Sequence, residues 1–232
     1  MNPSDSFEPE ELLPEALPEE PWWFFTAAWR EAHDRRLQPN PNCFTLATID
    51  PDGRPSARIV LCKDMNLAPD AGYIVFHTNR QGRKGRALAA NPRAAAVFHW
   101  DDLDKQVRIE GPVVHSPDAE SDAYFDSRPL ERRIGAWASN QSQPLDSRET
   151  LVMQAMEVMQ RFGVSLDDQD ARIPRPPHWG GFRLWAEAVE LWVGAPGRLH
   201  ERARWTRALQ PHQTPQGPSF RPGSWSRTRL QP

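Results

Sequence analysis

Cysteine is scarce. Cys43 and Cys62 are the only two in 232 residues, each inside an apolar run, so a disulfide scaffold and a cysteine zinc site are both excluded. Long hydrophobic runs are missing as well. No stretch approaches the ~18 consecutive apolar residues of a membrane helix, and the opening MNPSDSFEPEELL has neither the basic nor the apolar region of a secretion signal. A soluble protein of a reducing cytoplasm is expected, with no membrane partner. Lysine is confined to Lys63, Lys84 and Lys105, against 25 arginines, and tyrosine to Tyr73 and Tyr124. There is no HExxH and no Ser-His-Asp order; His99, His115, His178 and His212 are scattered, and no metal site is expected.

Hydrophobic residues make up 38% of the chain, enough for a real core, and the formal net charge is −3. The charge is unevenly placed. Residues 1–20 carry seven acidic groups and no Lys or Arg, whereas residues 172–232 carry ten Arg and three Glu. Arginine's planar fork suits phosphate and carboxylate, although a GC-rich genome yields the same bias.

Residues 1–20, acidic and interrupted by proline, read as a disordered tail, and 21–232 as one domain. Trp22, Phe25, Trp29 and Ala32 recur at helical spacing after Pro21. Cys43 to Ile49 and Ser56 to Lys63 flank an Asp-Gly turn and form a hairpin. Further strands are expected at Tyr73 to Thr78, Ala94 to Trp100 and Gln106 to His115, with a helix from about Gln81 to Ala90. The second half begins with a helix after Ser116. A longer one follows Asp146-Ser147, with Leu151, Val152, Ala155, Met156 and Met159 on its apolar face. Strands then run Phe182 to Trp192, Arg198 to Trp205 and Trp225 to Leu230. About seven strands without strict βαβ alternation favour a mainly β fold, an antiparallel barrel with attached helices.

Several segments could carry chemistry. Arg58 and Lys63 bracket the apolar stretch Ile59, Val60, Leu61, Cys62, and their spacing of five sends them to opposite sides of a strand. Arg83 and Lys84 open a helix after Gly82, where backbone N–H groups and the helix dipole suit a phosphate. A solvated basic helix start fits equally well. Tyr124 and Arg128 are four apart, one helical turn. Strand alternation would put Arg198, His200 and Arg202 on one face, a poor core and a good anion site.

In order and spacing, RIVLCK (58–63), VFHTN (75–79), GRKGRAL (82–88), NPRAAAVFHW (91–100), KQVRIEG (105–111), YFDSRP (124–129), IGAWASNQSQ (134–143), WGGFRL (179–184), ELW (190–192), RLHER (198–202) and the terminal RLQP resemble the pyridoxamine 5′-phosphate oxidase family. The resemblance runs from about Asn42 to Pro232. It implies an FMN-binding split β-barrel, a homodimer with FMN at the subunit interface, and oxidation of pyridoxine or pyridoxamine 5′-phosphate to pyridoxal 5′-phosphate by O2. Carried over by position, FMN would be held by Arg58, Ile59, Val60, Leu61, Cys62, Lys63, His77, Thr78, Arg83, Lys84 and Gln106. Gln141 and Ser142, expected from the partner subunit, would join Trp192 and Arg202 there. The substrate phosphate would meet Lys63, Tyr124, Arg128 and Arg132. Arg198, Leu199 and His200 would lie over the pyridine ring, with Arg198 and His200 as the catalytic pair.

Three departures from the family pattern stand out. Arg132 replaces a serine, His77 replaces a tyrosine, and residues 1–20 hold no counterpart of the Arg/Tyr lid. Oxidases of phenazine pathways look similar, and so do flavin- or haem-binding split-barrel modules without catalysis. The retained Lys63, Tyr124 and Arg128 argue against the former, and Arg198 with His200 against the latter. Nucleic-acid binding by the Arg- and Trp-rich C-terminal part is the remaining alternative, and no nucleic-acid partner is expected.

Overall fold

The computed structural model describes residues 13–168 and 170–232. Five α-helices are present among them: α1 (Trp22–Asp34), α2 (Arg83–Ala90), α3 (Asp118–Asp126), α4 (Leu130–Ala138) and α5 (Arg148–Phe162). The strands are β1 (Cys43–Ile49), β2 (Pro55–Leu61), β3 (Asp64–Asn66), β4 (Tyr73–Asn79), β5 (Arg93–Trp100), β6 (Lys105–His115), β7 (Trp179–Trp185), β8 (Ala188–Val193), β9 (Glu201–Thr206), β10 (Leu209–Thr214), β11 (Gly217–Pro222) and β12 (Ser226–Leu230).

All pairings are antiparallel. One path runs β12-β9-β8-β6-β5-β1-β2, and β3, β4 and β7 branch from it. The branch point is β6. Its first half, to Glu110, pairs with β8, and its end, from Val113, pairs with β7. Gly111 stands at the switch, where a Cβ would lie 2.0 Å from the Trp185 carbonyl oxygen, so only glycine lets the two strands pass. The Lys63 N–H donates to the Val75 carbonyl at 2.8 Å and draws the end of β2 against β4. The ring β1-β2-β4-β7-β6-β5 thus curls into a barrel, while β8, β9 and β12 extend the sheet beyond it.

Alternation along the strands sorts the residues. Phe44, Leu46, Phe76, Phe98, Trp100, Val107, Ile109, Leu184, Leu191 and Trp205 point inward and are buried, joined by Phe25 and Ala28 of α1. A second apolar cluster of Phe125, Leu130, Ile134, Ile173 and Trp179 holds α3 and α4 to β7.

The antiparallel barrel with helices holds, with corrections. Twelve strands form among the described residues rather than about seven, because 182–192 turns at Ala186-Glu187 into two strands, the three-residue β3 is too short to read, and the β10–β11 hairpin carried too little apolar alternation. Of the expected tail, residues 1–12 lie outside the described residues. From Leu13 on the chain is docked: Leu13 is buried, Arg229 donates to the Leu13 and Pro14 carbonyls, and the Trp205 indole N–H donates to Pro18 O. Buried Leu13, with Leu17 packed on the core, and hydrogen bonds to backbone carbonyls suffice there, a pattern that composition hides. On α5 the expected Ser147 cap accepts the Thr150 N–H at 3.1 Å. The inward face, however, is Ala155, Val158, Met159 and Phe162, and Leu151, Val152 and Met156 are exposed.

Candidate active site

One cavity of about 290 Å³ gathers residues from five separate segments. It is lined by Val60, Leu61 and Lys63 at the end of β2, His77 and Thr78 of β4, and Lys84 of α2. Tyr124, Arg128, Arg132 and Gln141 of the helical part and Trp179 of β7 complete it. Four cations line it and no carboxylate does.

One wall is polar and cationic. The Lys84 ammonium donates to Thr78 Oγ1 at 3.0 Å and Gln141 Oε1 at 2.8 Å, and Thr78 Oγ1 donates to the same amide oxygen at 3.0 Å. Burial, with the nearby Arg58 guanidinium adding to it, pulls the Lys84 pKa down to about 8. Gly82 precedes α2 with no side-chain cap, leaving the first N–H groups of the helix beside Lys84.

The opposite wall is aromatic and cationic. The His77, Tyr124 and Trp179 rings form a near-parallel cluster, with centroids 4.2 Å apart for His77 and Tyr124, 5.2 Å for His77 and Trp179, and 6.1 Å for Tyr124 and Trp179. The Arg128 guanidinium lies over the Trp179 ring at 4.8 Å. Arg128 follows the end of α3 rather than continuing it, so it reaches the cavity from a loop and not from the helical turn expected. Burial is the chief cause lowering its pKa, and Arg132 and Arg133 add to it. Arg128 Nη1 and both His77 ring nitrogens are buried without a protein partner. Burial also takes the His77 pKa down to about 4, helped by Arg128, Lys63, Arg175 and Arg80, so the ring is neutral at pH 7.

Other expected site residues sit elsewhere. Arg58 donates to Leu46 O, Thr48 Oγ1 and Ser56 Oγ, and Arg83 donates through Nε and Nη2 to Asp50 Oδ2 at 2.9 and 2.6 Å. Ile59 is exposed on the outer face, and Cys62 points into the core, where burial pushes its thiol pKa up to about 12. Gln141 was expected to reach the site from a partner subunit, yet it lines the cavity of its own chain, because the segment after α4 folds back over Thr78. Ser142 follows it with φ 69° and does not line the cavity.

A second group forms on the outer sheet face. Gln106 of β6, Trp192 of β8 and Arg202 of β9 are paired in one row across three strands. The His200 ring lies 4.6 Å from the Trp192 ring, and its Nδ1 accepts the Ala195 N–H. Arg202 donates to Glu190 Oε1 through Nε and Nη2, and buried Glu190 also meets Arg108 and Arg204. The expected strand alternation of Arg198, His200 and Arg202 fails, since β9 begins at Glu201 and Arg198 occupies a tight turn with φ 64°. Leu199 is exposed beside it. None of these residues lines the 290 Å³ cavity.

Sequence reasoning missed Trp179 and Ser116. Trp179 stands in a strand start that reads as core. Ser116 becomes relevant through Gly181, which pairs with His77 on one side and accepts the Ser116 N–H on the other. A Cβ at Gly181 would lie 2.6 Å from Ser116 Oγ and 2.9 Å from His77 Nε2, so both side chains use the space the glycine leaves.

The profile of the pyridoxamine 5′-phosphate oxidase family matches residues 30–162, and that of a pyridoxine 5′-phosphate oxidase C-terminal dimerisation region matches 179–232. A pyridoxine/pyridoxamine 5′-phosphate oxidase of Paraburkholderia phytofirmans is 52% identical over 188 residues, covering 81% of this chain and 83% of the relative. One of Burkholderia lata is 48% identical over 213 residues, covering 92% and 89%. Among solved structures, PhzG from Burkholderia lata 383 in complex with tetrahydrophenazine-1-carboxylic acid superimposes with TM-score 0.78 at 30% identity, covering 96% of this chain and 98% of that one. A pyridoxamine 5′-phosphate oxidase-related, FMN-binding protein of Nostoc punctiforme shares the fold, with TM-score 0.63 at 17% identity over 93% of this chain and 100% of that one.

Proposed function

The chain belongs to the pyridoxamine 5′-phosphate oxidase family, and from that premise we propose that it is an FMN-dependent oxidase of phosphorylated B6 vitamers. Pyridoxine 5′-phosphate or pyridoxamine 5′-phosphate would be converted to pyridoxal 5′-phosphate with O2, releasing H2O2 and, from the amine, ammonia. The observation that carries this reading is the charge of the cavity: Lys63, Lys84, Arg128 and Arg132 face one space with no carboxylate among its lining residues. Four unit charges balance two phosphate dianions, one from a nucleotide and one from a substrate ester.

The residues fit FMN. Lys84, Thr78 and the uncapped start of α2 offer charge-assisted and backbone donors to its phosphate. Held there, FMN would supply the redox chemistry, accepting the substrate's hydride and being reoxidised by dioxygen. The chain's own work is binding and orientation. Lys63, Arg128 and Arg132, with the Tyr124 phenol, hold the ester phosphate, and the Tyr124, His77 and Trp179 rings form the aromatic wall beside it.

A space of 290 Å³ is at the small end for a ligand site and too small for a flavin nucleotide with a substrate. The missing part is assigned to a second copy of the chain. Trp192, Arg198, His200 and Arg202 all fall in the region matched by the dimerisation profile, and Gln106 is in register with Trp192. In a homodimer this row would close over the cavity of the other protomer, with Gln106, Trp192 and Arg202 toward the flavin and Arg198 and His200 toward the pyridine ring. The left-handed backbone of Arg198, unfavourable by about 1 kcal/mol for a non-glycine residue, accords with a side chain held for function.

A second reading has its own support: the likeness to PhzG, together with Arg132, suits an aromatic carboxylate in place of a phosphate ester. Anaerobic mixing separates the two. FMN-loaded protein should lose its yellow absorbance on adding pyridoxine 5′-phosphate and regain it in air. Retained FMN with no bleaching by either phosphorylated vitamer would overturn the B6 assignment in favour of the carboxylate.

A further inference from the structure

Among the described residues, Glu190 is the only buried carboxylate, with its side chain 4% exposed. It stands on β8 two residues before Trp192, opposite Arg108 of β6 and Arg204 of β9. Two residues along a strand span about 7 Å on one face. The row Arg108–Glu190–Arg204 therefore lies beside the row Gln106–Trp192–Arg202. A carboxylate taken out of water needs cations and donors to compensate it, and three guanidinium groups do so here. Arg202 reaches Glu190 Oε1 through Nε at 3.1 Å and Nη2 at 2.7 Å. Arg108 Nη1 reaches Oε2 at 3.3 Å, and Arg204 Nη1 stands 3.8 Å from the same oxygen. Arg108 and Arg204 also hold a second carboxylate, Glu110, at 2.6 and 2.8 Å. Arg202 pairs with no other carboxylate among the described residues. Its remaining contact is Nη1 donating to Gln231 O at 3.0 Å, next to Leu230, its partner in β12. Three of its five N–H bonds are thus used, and one on each terminal nitrogen has no partner among the described residues.

We propose that Glu190 is a positioning residue for Arg202. Its grip on one edge of the guanidinium, together with the Gln231 carbonyl, fixes the plane in which the two spare N–H bonds meet the flavin held by the other protomer. A carboxylate beside a site for an anionic nucleotide works against the charge of the ligand. The contact with Arg202 gives that carboxylate a use, because a planar fork binds only when its plane is set. Without Glu190 the guanidinium turns freely on its long stem, and flavin binding bears the cost of ordering it. This inference rests on the reading that turns Arg202 toward the flavin, and it adds what aims the side chain.

The test follows release of FMN from the loaded protein on dilution, read as the rise in flavin fluorescence, with size-exclusion chromatography reporting the dimer. Arg202→Met, which keeps the stem and removes the donors, should raise the Kd about thirtyfold. Glu190→Gln keeps the shape but turns an amide N–H2 toward one of the guanidinium groups. It should raise the Kd about tenfold in the wild-type background and no more than about twofold in the Arg202→Met background, since a positioning residue has no effect once the side chain it positions is gone. Glu110→Gln loosens Arg108 and Arg204 without touching Arg202, and should leave the Kd within about twofold. Should Glu190→Gln fail to fold or to dimerise, Glu190→Asp, which keeps the charge and draws it back by one methylene, takes its place with the same pattern. Effects that multiply in the double variant, equal losses in Glu190→Gln and Glu110→Gln, or an unchanged Kd in Glu190→Gln overturn the proposal. If Arg202→Met is still weakened in those cases, the placement of Arg202 against the flavin stands. A Kd unchanged by Arg202→Met refutes that placement and this inference with it.

Discussion

Lys84 and Arg132 are the two side chains whose behaviour follows most directly from their surroundings. Lys84 has its pKa drawn from 10.5 to about 8 by burial and by Arg58. A phosphate beside it should return the ammonium toward its ordinary range, so FMN binding takes up a proton above pH 8. Affinity must then fall as pH rises through that window, by about eightfold between pH 7.5 and pH 9 if the shift is fully reversed. Fluorescence titration of the apoprotein with FMN at the two pH values checks this, and Lys84→Gln should bind weakly at both with little difference between them. Arg132 lies on the cavity lining next to Arg128. Arg132→Ser should raise the KM for pyridoxine 5′-phosphate about three- to tenfold, with kcat nearly unchanged, because a guanidinium–phosphate contact made before and during reaction is uniform binding. An unchanged KM would make Arg132 a bystander. Both residue types were visible as candidates in the chain, since a cation inside an apolar or helical segment asks for an anion. That Lys84 meets Gln141 of its own chain was not visible, because 57 residues separate them and no local pattern reports the distance.

At the scale of elements, local rules governed ends better than faces. The Ser147 cap of α5 was legible because capping needs only the hydroxyl and the N–H three residues on. Ser147→Ala should lower stability by about 1 kcal/mol, read as a shift in the urea midpoint with unchanged slope. The burial face of the same helix was not legible, because Leu151, Val152 and Met156 are as apolar as Val158 and Phe162. Which side is covered depends on α4 and its partner cluster. Strand alternation was likewise sound in β1, β5 and β6 and misleading at 198–202. There the chain turns through Gly197 and Arg198, both with positive φ, before the strand starts.

For the whole molecule, the two halves of the expected site lie apart in one protomer, and the dimerisation profile covers the outer half. Complementation tests the shared site. Arg128→Ala damages the cavity half and Arg198→Ala the sheet half, so each variant alone should turn over poorly while Arg198→Ala retains FMN. Mixed by co-expression, random pairing makes half the dimers hybrid, and each hybrid holds one site with both halves intact. Recovery of about a quarter of wild-type turnover is expected, measured as peroxide released per flavin. No recovery would place both groups in the same protomer's site.

The amino-acid sequence by itself determined the antiparallel character, most strand and helix positions, the family resemblance and the pool of cations and aromatics from which a phosphate site could be drawn. These rest on periodicity, capping and turn chemistry, which act within a few residues. Tertiary structure alone decided which of those cations share a cavity, that Gln141 lines the cavity of its own chain, that Arg58 and Arg83 are engaged by neighbouring strand groups and Asp50, and that His77, Tyr124 and Trp179 meet in one aromatic cluster. The reason is physical. Electrostatic and packing energies depend on distances in space, and the curl of β6 from one sheet partner to the other sets those distances between residues far apart along the chain.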